Sequence, residues 1–175
     1  MQELTVRQAR DRYFQESGLP LDGGYDLRWV PVKWGFLTLY LYNGAARRRV
    51  VQLHDIHHVV TGYSSDFRGE AAISAWELAA GVSNKHTARI LDLAGLSYGG
   101  YFFPKTTFQA YVLGTQSKTL YSEGFSQSLL EESVETLRKR LLPAVPREAK
   151  AIDYFRYALL VGLASLPGLV LMIGC

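Results

Sequence analysis

The sequence predicts an all-α or mostly α fold, organised as a single compact helical domain with a hydrophobic C-terminal helix. The chain has 175 residues, 48% of them apolar, so it is long enough to bury a core. Apolar residues recur at helical spacing in several stretches. Capping-box patterns at Thr5 with Gln8 and at Ser128 with Glu131 mark helix starts. Glycine or proline follows most of these stretches, as expected at helix ends.

The first part of the chain combines one helix with irregular segments. That helix is predicted over residues 6–17, and its buried face is formed by Val6, Ala9, Tyr13 and Phe14. Residues 18–35 are interrupted by glycine and proline, so we expect a loop there. Residues 36–42 have the aromatic and threonine content of a strand and precede an Asn-Gly turn signal. Because no partner strand is identifiable, an isolated extended segment is expected.

The rest of the chain is predicted to be helical over residues 45–61, 69–80, 85–98, 106–114 and 128–142. Gly99-Gly100 and Pro104 are expected to break the chain between the third and fourth of these helices. The last helix is amphipathic, and one face carries Leu130, Val134, Leu137 and Leu141.

The bulk composition excludes several classes of protein. The net charge of +3 is small and the basic residues are scattered, apart from one run of three arginines at 47–49, so no nucleic acid is expected as a partner. The one cysteine, Cys175, excludes an internal disulfide and a cysteine-based zinc site. The N-terminus lacks the apolar core of a signal peptide, so the bulk of the chain is expected in the cytoplasm.

The C-terminal tail raises a separate question about membranes. We divide the chain into a helical domain, residues 1–146, and a hydrophobic tail, residues 147–175. The tail carries no charge from residue 157 onward and is preceded by basic residues, which is typical of a C-terminal anchor. A protein anchored or peripheral at the cytoplasmic face of the membrane is therefore expected. The alternative is a terminal helix that is buried or that covers a lipid groove.

One short motif has the spacing of a metal site. His54 and His58 lie four residues apart, so a helix places both imidazoles on one face. Asp55 is adjacent to His54, and Glu70 begins the next predicted helix, where a tight helix pair would bring it back to the histidines. Two histidines with one or two carboxylates are a typical ligand set for zinc or a similar divalent ion.

Other features of this segment bear on the interpretation. Ser74 and Glu77 share the helix face of Glu70 and are expected to support the ligands. The zinc-peptidase motif H-E-x-x-H has a glutamate as general base where this chain has Asp55, which disfavours simple peptidase chemistry. The alternative to a metal site is a chance histidine pair, with Glu70 favoured near a helix start by the helix dipole alone. His86 stands alone and is expected to be a surface or core residue.

The motif resembles a known family. His54-Asp55-x-x-His58, eleven residues and then Glu70 is similar to the signature of the coenzyme Q (ubiquinone) biosynthesis protein 4 family. The surrounding segment HHVVTGYSSDFRGEAA is similar as well. The resemblance is strong over residues 53–81 and weaker over residues 110–142, and it does not extend to residues 1–45 or to the tail.

The resemblance implies a metal-binding, membrane-associated helical protein of ubiquinone biosynthesis. It implies His54, Asp55, His58 and Glu70 as metal-site residues, zinc as the usual metal, and Asp55 and His58 as candidate catalytic residues. It also implies a lyase-type reaction, the oxidative decarboxylation of a polyprenylated benzenoid at ring carbon 1. The expected partners are a polyprenylated aromatic substrate or lipid, the membrane, other quinone-biosynthesis proteins and a second copy of the chain in a homodimer.

Three functional hypotheses follow from the sequence. The first is a metal-dependent enzyme of quinone biosynthesis. The second is a non-catalytic scaffold that binds lipid or isoprenoid and whose metal is structural. The third is a metallohydrolase in which Asp55 acts as the base, and it requires Asp55 to lie outside the metal's ligand set.

Overall fold

A computed structural model describes residues 3–34, 37–82 and 86–173 of the chain. The helices are α1 (Val6–Glu16), α2 (Ala45–Thr61), α3 (Phe67–Ala80), α4 (His86–Phe102), α5 (Pro104–Gly114), α6 (Gln127–Glu131), α7 (Val134–Leu141) and α8 (Ala151–Ile173). The strands are β1 (Trp29–Trp34) and β2 (Leu37–Tyr42). The prediction of a mostly α fold is confirmed.

A β-hairpin replaces the predicted loop and isolated extended segment. β1 and β2 pair antiparallel, with Trp29 opposite Tyr42 and Trp34 opposite Leu37. The prediction of a loop throughout residues 18–35 is therefore wrong for residues 29–34. Pro31 is a reason to predict a loop from the sequence. Each strand of a two-stranded ribbon is an edge strand, however, and an edge strand tolerates the missing N–H of proline. The predicted extended segment began at residue 36, which lies outside the described residues.

α4 continues through the glycine pair that was expected to break it. A Cβ added at Gly99 would lie 2.5 Å from the Cβ of Ala71, and one at Gly100 would lie 2.6 Å from Cγ1 of Val161. Here the glycines allow α4 to approach α3 and α8 closely, and they do not end the helix. The predicted start of this helix, residue 85, lies outside the described residues.

The amphipathic segment at residues 128–142 forms two helices, which corrects the predicted single helix. The Ser126 hydroxyl accepts a hydrogen bond from the Leu129 N–H at 3.2 Å and caps α6. The Ser133 hydroxyl accepts from the Thr136 N–H at 3.1 Å and caps α7. The predicted capping box at Ser128 is wrong because serines on either side supply the caps.

Two apolar clusters form the core, and α3 lies between them and contributes to both. The first joins the inner face of α2 to α6, α7 and the turn at Leu120–Ser122. The second joins α3 to α4, α5 and α8 around the fully buried Trp76. α2 and α3, which carry the motif residues, are therefore each packed against an apolar cluster.

α8 lies against α4 and α5 along one face. Tyr157, Val161 and Ala164 pack into the second cluster. The start of α8 is held by the buried carboxylate of Asp153, which accepts from the Lys150 N–H at 2.8 Å and forms a bidentate ion pair with Arg147. In the described ranges, no helix combines the length and the apolar character needed to cross a membrane.

Candidate metal centre

A tight turn returns the chain from α2 to α3. Gly62 ends α2 in the left-handed region at φ 78°, which favours glycine. The Asp66 carboxylate then accepts a hydrogen bond from the Gly69 N–H at 2.7 Å and caps α3. A Cβ at Gly69 would collide with the carbonyl of Ser64, so only glycine permits this close return. The turn places Glu70, in the first turn of α3, beside the histidines of α2.

His54, His58 and Glu70 converge at one point. The Nε2 atoms of the two histidines are 3.1 Å apart. One carboxylate oxygen of Glu70 lies 3.4 Å from His54 Nε2, and the other lies 3.4 Å from His58 Nε2. In a tetrahedral zinc site with bonds of about 2.0–2.1 Å, ligand atoms are separated by roughly 3.3 Å. The separation of the two Nε2 atoms is close to that value, and one ligand atom from each of the three residues lies within 4.8 Å of the others, so these residues could hold a divalent ion.

Both histidines are held with the Nε2 lone pair directed at this point. The Nδ1–H of His58 donates to the carbonyl of Tyr63 at 2.9 Å, and the Nδ1–H of His54 donates to Glu77 at 3.1 Å. In each ring the proton on Nδ1 leaves Nε2 unprotonated in the neutral form. Two lone pairs at 3.1 Å repel each other unless a proton or a metal cation lies between them. The arrangement is therefore suited to a cation.

The charges around the site also favour a cation. Burial acts to lower the pKa of His54, but the carboxylates of Glu77 and Glu70 outweigh it and hold this pKa well above its ordinary value. Burial acts to raise the pKa of Glu70, but its contacts with His54 and His58 lower it to about 2. Both shifts express the same attraction between positive charge on the rings and negative charge on the carboxylates.

Asp55 does not join this group among the described residues. Its buried carboxylate instead accepts a hydrogen bond from the Tyr25 hydroxyl at 2.5 Å. Burial raises the pKa of Asp55, and the nearby His54 and the Tyr25 hydroxyl offset part of that effect. The predicted set of four thus separates into three convergent candidate ligands and one carboxylate that a different hydrogen bond holds.

The Asn43 side chain helps to hold the loop that carries Tyr25. The side-chain N–H groups of Asn43 donate to the carbonyls of Tyr25 and Leu27, each at 2.9 Å. Arg47 in turn donates to the Asn43 side-chain oxygen at 2.9 Å. The Asn-Gly pair read from the sequence as a turn signal therefore anchors the loop that brings Tyr25 to Asp55.

The two residues expected to support the ligands differ in what they touch. Glu77 is fully buried and contacts His54 directly. Ser74 is also buried, and its side chain lies against Gly95 of α4, where no Cβ would fit. Glu77 is therefore placed to orient a ligand, whereas Ser74 lies at the contact between α3 and α4.

Sequence reasoning missed a second buried polar group behind the ligands. His54, Glu77 and Asp92 bring nitrogen and carboxylate oxygens within 4.8 Å of one another. One oxygen of Asp92 is buried without a hydrogen-bond partner among the described residues. Burial and the adjacent Glu77 raise the pKa of Asp92 well above its ordinary value. A charged residue inside an apolar helical stretch, ILDLAG, is the signal that could have identified Asp92.

A cleft of about 830 Å³ opens beside the site. It lies between α1, the turn after α2 and the start of α7, and its lining includes Tyr13, His58, Tyr63 and Ser65. The Tyr13 ring stacks on His58 with centroids 5.1 Å apart and planes inclined by 20°. Of the three convergent residues, His58 lines this cleft, so a flat ring entering it would meet aromatic and polar side chains beside His58.

Comparison of the chain with protein-family models, with curated proteins and with solved structures finds no match.

Proposed function

We propose that the chain is a metal-dependent protein of ubiquinone biosynthesis that acts on a polyprenylated benzenoid at a membrane surface. The observation that carries this proposal is the convergence of His54, His58 and Glu70 on one point. The Nδ1–H groups of both histidines donate to acceptors away from that point, to Glu77 and to the Tyr63 carbonyl. Three protein ligands leave one position of a tetrahedral ion for substrate or water. The resemblance of the motif to the quinone-biosynthesis family supplies the substrate class.

The chain's own residues would perform binding and orientation. Zinc or a similar ion held here would act as a Lewis acid on a ring carboxylate or an adjacent phenolic oxygen, which favours the departure of carbon dioxide. Tyr13 and Tyr63 line the cleft beside His58 and offer faces against which an aromatic ring can lie. The oxidative part of the reaction replaces the carboxyl group by a hydroxyl group, and it requires either dioxygen or water together with an oxidising partner protein.

Metal content tests this proposal directly. We expect about one divalent ion per chain in the purified wild type, with loss of the ion in His58→Ala and in Glu70→Ala. His86→Ala is the matched control, because His86 is exposed at the start of α4. Wild-type protein that takes up no metal after reconstitution would exclude the metal-dependent function. Full complementation of a ubiquinone-deficient strain by metal-free His58→Ala would instead favour the scaffold hypothesis.

The location at a membrane surface is supported by the outer face of α8. Ile152, Phe155, Leu159, Leu163 and Leu166 follow one another at helical spacing and are 46–67% exposed. A stripe of large apolar side chains on a helix is typical of insertion into the boundary between lipid headgroups and acyl chains.

Vesicle binding tests this part of the proposal. We expect wild-type protein to sediment with anionic phospholipid vesicles and Phe155→Glu/Leu159→Glu to lose at least tenfold in affinity, because burial of one such side chain contributes about 1.5–3 kcal/mol. Ile90→Glu, at an exposed residue of α4, is the control. A double variant that sediments like the wild type would remove the support for membrane binding through α8.

The position of Asp55 favours one second candidate, a metallohydrolase in which Asp55 is the base. That hypothesis requires Asp55 to be separate from the ligands, and Asp55 lies outside the three-residue group. Asp55→Asn distinguishes the two functions when the protein is assayed with activated esters. A hydrolase would retain metal and lose ester hydrolysis in this variant, whereas wild-type protein with no such activity would exclude the hydrolase.

A further inference from the structure

A buried carboxylate lies directly behind the three ligands. Glu77 is two helical turns after Glu70 on α3, so both project from the same face. One oxygen of Glu77 accepts from His54 Nδ1 at 3.1 Å, and the other accepts from His57 Nδ1 at 2.5 Å. A single carboxylate thus holds a ligand histidine and a neighbouring histidine that is not a ligand.

The protonation of His57 follows from its contacts. The Leu120 backbone N–H donates to His57 Nε2 at 2.9 Å, so this nitrogen carries a lone pair and the ring proton is on Nδ1. That proton is then directed at Glu77. The ring is fully buried and lies edge-on to Trp76 and Tyr121, with centroids 5.2 Å and 5.1 Å away. His57 is therefore a fixed donor with no nitrogen free to bind metal.

The fixed donor determines where the second oxygen of Glu77 lies. With one oxygen tied to His57, the other is held beside the Nδ1–H of His54. A carboxylate on Nδ1–H fixes the tautomer and the ring orientation of a metal-binding histidine and makes the opposite nitrogen a better ligand. The contacts thus form one chain from the Leu120 backbone through His57 and Glu77 to His54.

We propose that Glu77 is a positioning residue that directs His54 Nε2 to the metal, and that His57, anchored on Leu120, positions Glu77. This inference rests on the proposed metal site and adds to it a buried support that the family motif does not include. Loss of such a support typically lowers metal affinity 10–100-fold without removing a ligand.

A second cation held by His54, Glu77 and Asp92 is the competing account of the same residues. It would require His54 to give up its Nδ1 proton and to bridge two ions. The positioning role explains the contacts of Glu77 with the two histidines, and it requires only one ion and a neutral His54 ring. The two accounts predict different numbers of ions per chain and different effects of changing Asp92.

Zinc affinity, measured by competition with a chromophoric chelator, tests the positioning role. We expect Glu77→Gln to bind zinc 10–100-fold more weakly, because an amide has one accepting oxygen and can satisfy only one of the two histidine donors. We also expect the visible absorption bands of cobalt(II)-loaded protein to shift in Glu77→Gln, as the His54 ring turns. Glu148→Gln, the same substitution at an exposed position, is the matched control, and its affinity is expected to equal that of the wild type.

A measurement on the wild type avoids dependence on the folding of variants. Nitrogen-15 NMR of the zinc-loaded protein labelled at histidine should show His54 and His57 both protonated on Nδ1. A proton on Nε2 of His54 would overturn the proposal, as would equal zinc affinity of Glu77→Gln and Glu148→Gln.

The number of ions per chain separates the remaining outcomes. Two ions in the wild type, reduced to one in Asp92→Asn, would assign the second cation instead. A wild type that binds no metal removes the proposed function together with this inference. A wild type that binds one ion, with normal affinity in Glu77→Gln, removes this inference alone.

Discussion

Replacement of Gly99 by alanine tests the interpretation that the glycines of α4 serve packing. The added Cβ would lie 2.5 Å from the Cβ of Ala71 and 2.9 Å from Cγ2 of Thr107, whereas carbon atoms pack best at about 3.5–4.0 Å. The Ala71 Cβ is attached rigidly to α3 and cannot rotate away. We therefore place the overpacking penalty at the upper end of the usual range, about 3 kcal/mol. Alanine gains about 1 kcal/mol in helix propensity, so the net loss is about 2 kcal/mol.

Gly162→Ala is the matched control for this variant. Gly162 lies within α8, and an added Cβ there would meet nothing within 4 Å among the described residues outside its own helix backbone and chain neighbours. Only the propensity term therefore applies, and a gain of about 0.5–1 kcal/mol is expected. Urea unfolding followed by circular dichroism gives both free energies. For a domain of this size a loss of 2 kcal/mol corresponds to a Tm lower by about 4–8 °C. If Gly99 acted as a helix breaker, alanine would stabilise both positions, and that result would refute the packing argument.

Two further substitutions test the contacts that fix α8 and the loop beside the site. Asp153→Asn removes the ion pair at the start of α8 and should lower the free energy of unfolding at neutral pH by about 1–2 kcal/mol, whereas exposed Glu148→Gln should not. Since the partners of Asp153 lower its pKa to about 2, this stability is present above pH 4 and is lost as the pH falls towards 2, so the variant should show a weaker acid dependence. Tyr25→Phe removes the hydroxyl that donates to buried Asp55 and should cost about 1–3 kcal/mol in urea unfolding, while Tyr40→Phe, at an exposed position, should be neutral. Equal stability of Tyr25→Phe and Tyr40→Phe would show that the buried carboxylate does not depend on this donor.

Local sequence signals predicted the helices well where one short-range rule decides the outcome. α2 has the predicted bounds, because Gly62 in the left-handed region ends it whatever surrounds it. The same signals failed where tertiary contacts decide. Gly99-Gly100 has the sequence pattern of a helix break, but in the structure it allows α3 and α8 to pack closely against α4. Pro31 is typical of a loop, but in the structure its strand pairs with β2. Neither contact is visible in a window of neighbouring residues.

The candidate site divides in the same way. The spacing of His54 and His58 on one helix face is a local property, and the return of Glu70 follows from the turn between α2 and α3. The contact between Asp55 and Tyr25 joins residues thirty positions apart through a loop pinned by Asn43, so motif spacing could not show it. The contact of His57 with the Leu120 N–H spans sixty-three positions. The sequence thus identifies the candidate ligands and Glu77, while the contacts that hold Asp55 and His57 come from distant parts of the chain.

The separation of Asp55 from the ligands bears on whether the metal would be structural or catalytic. Structural zinc sites have four protein ligands, whereas catalytic sites keep one position open. Among the described residues the group around His58 contains three, and the Asp55 carboxylate is instead held in a hydrogen bond by Tyr25. The His58 side chain has no solvent exposure, but those of His54 and Glu70 are 18% and 38% exposed. Solvent therefore reaches the group at His54 and Glu70, so an ion held there would be accessible from that side.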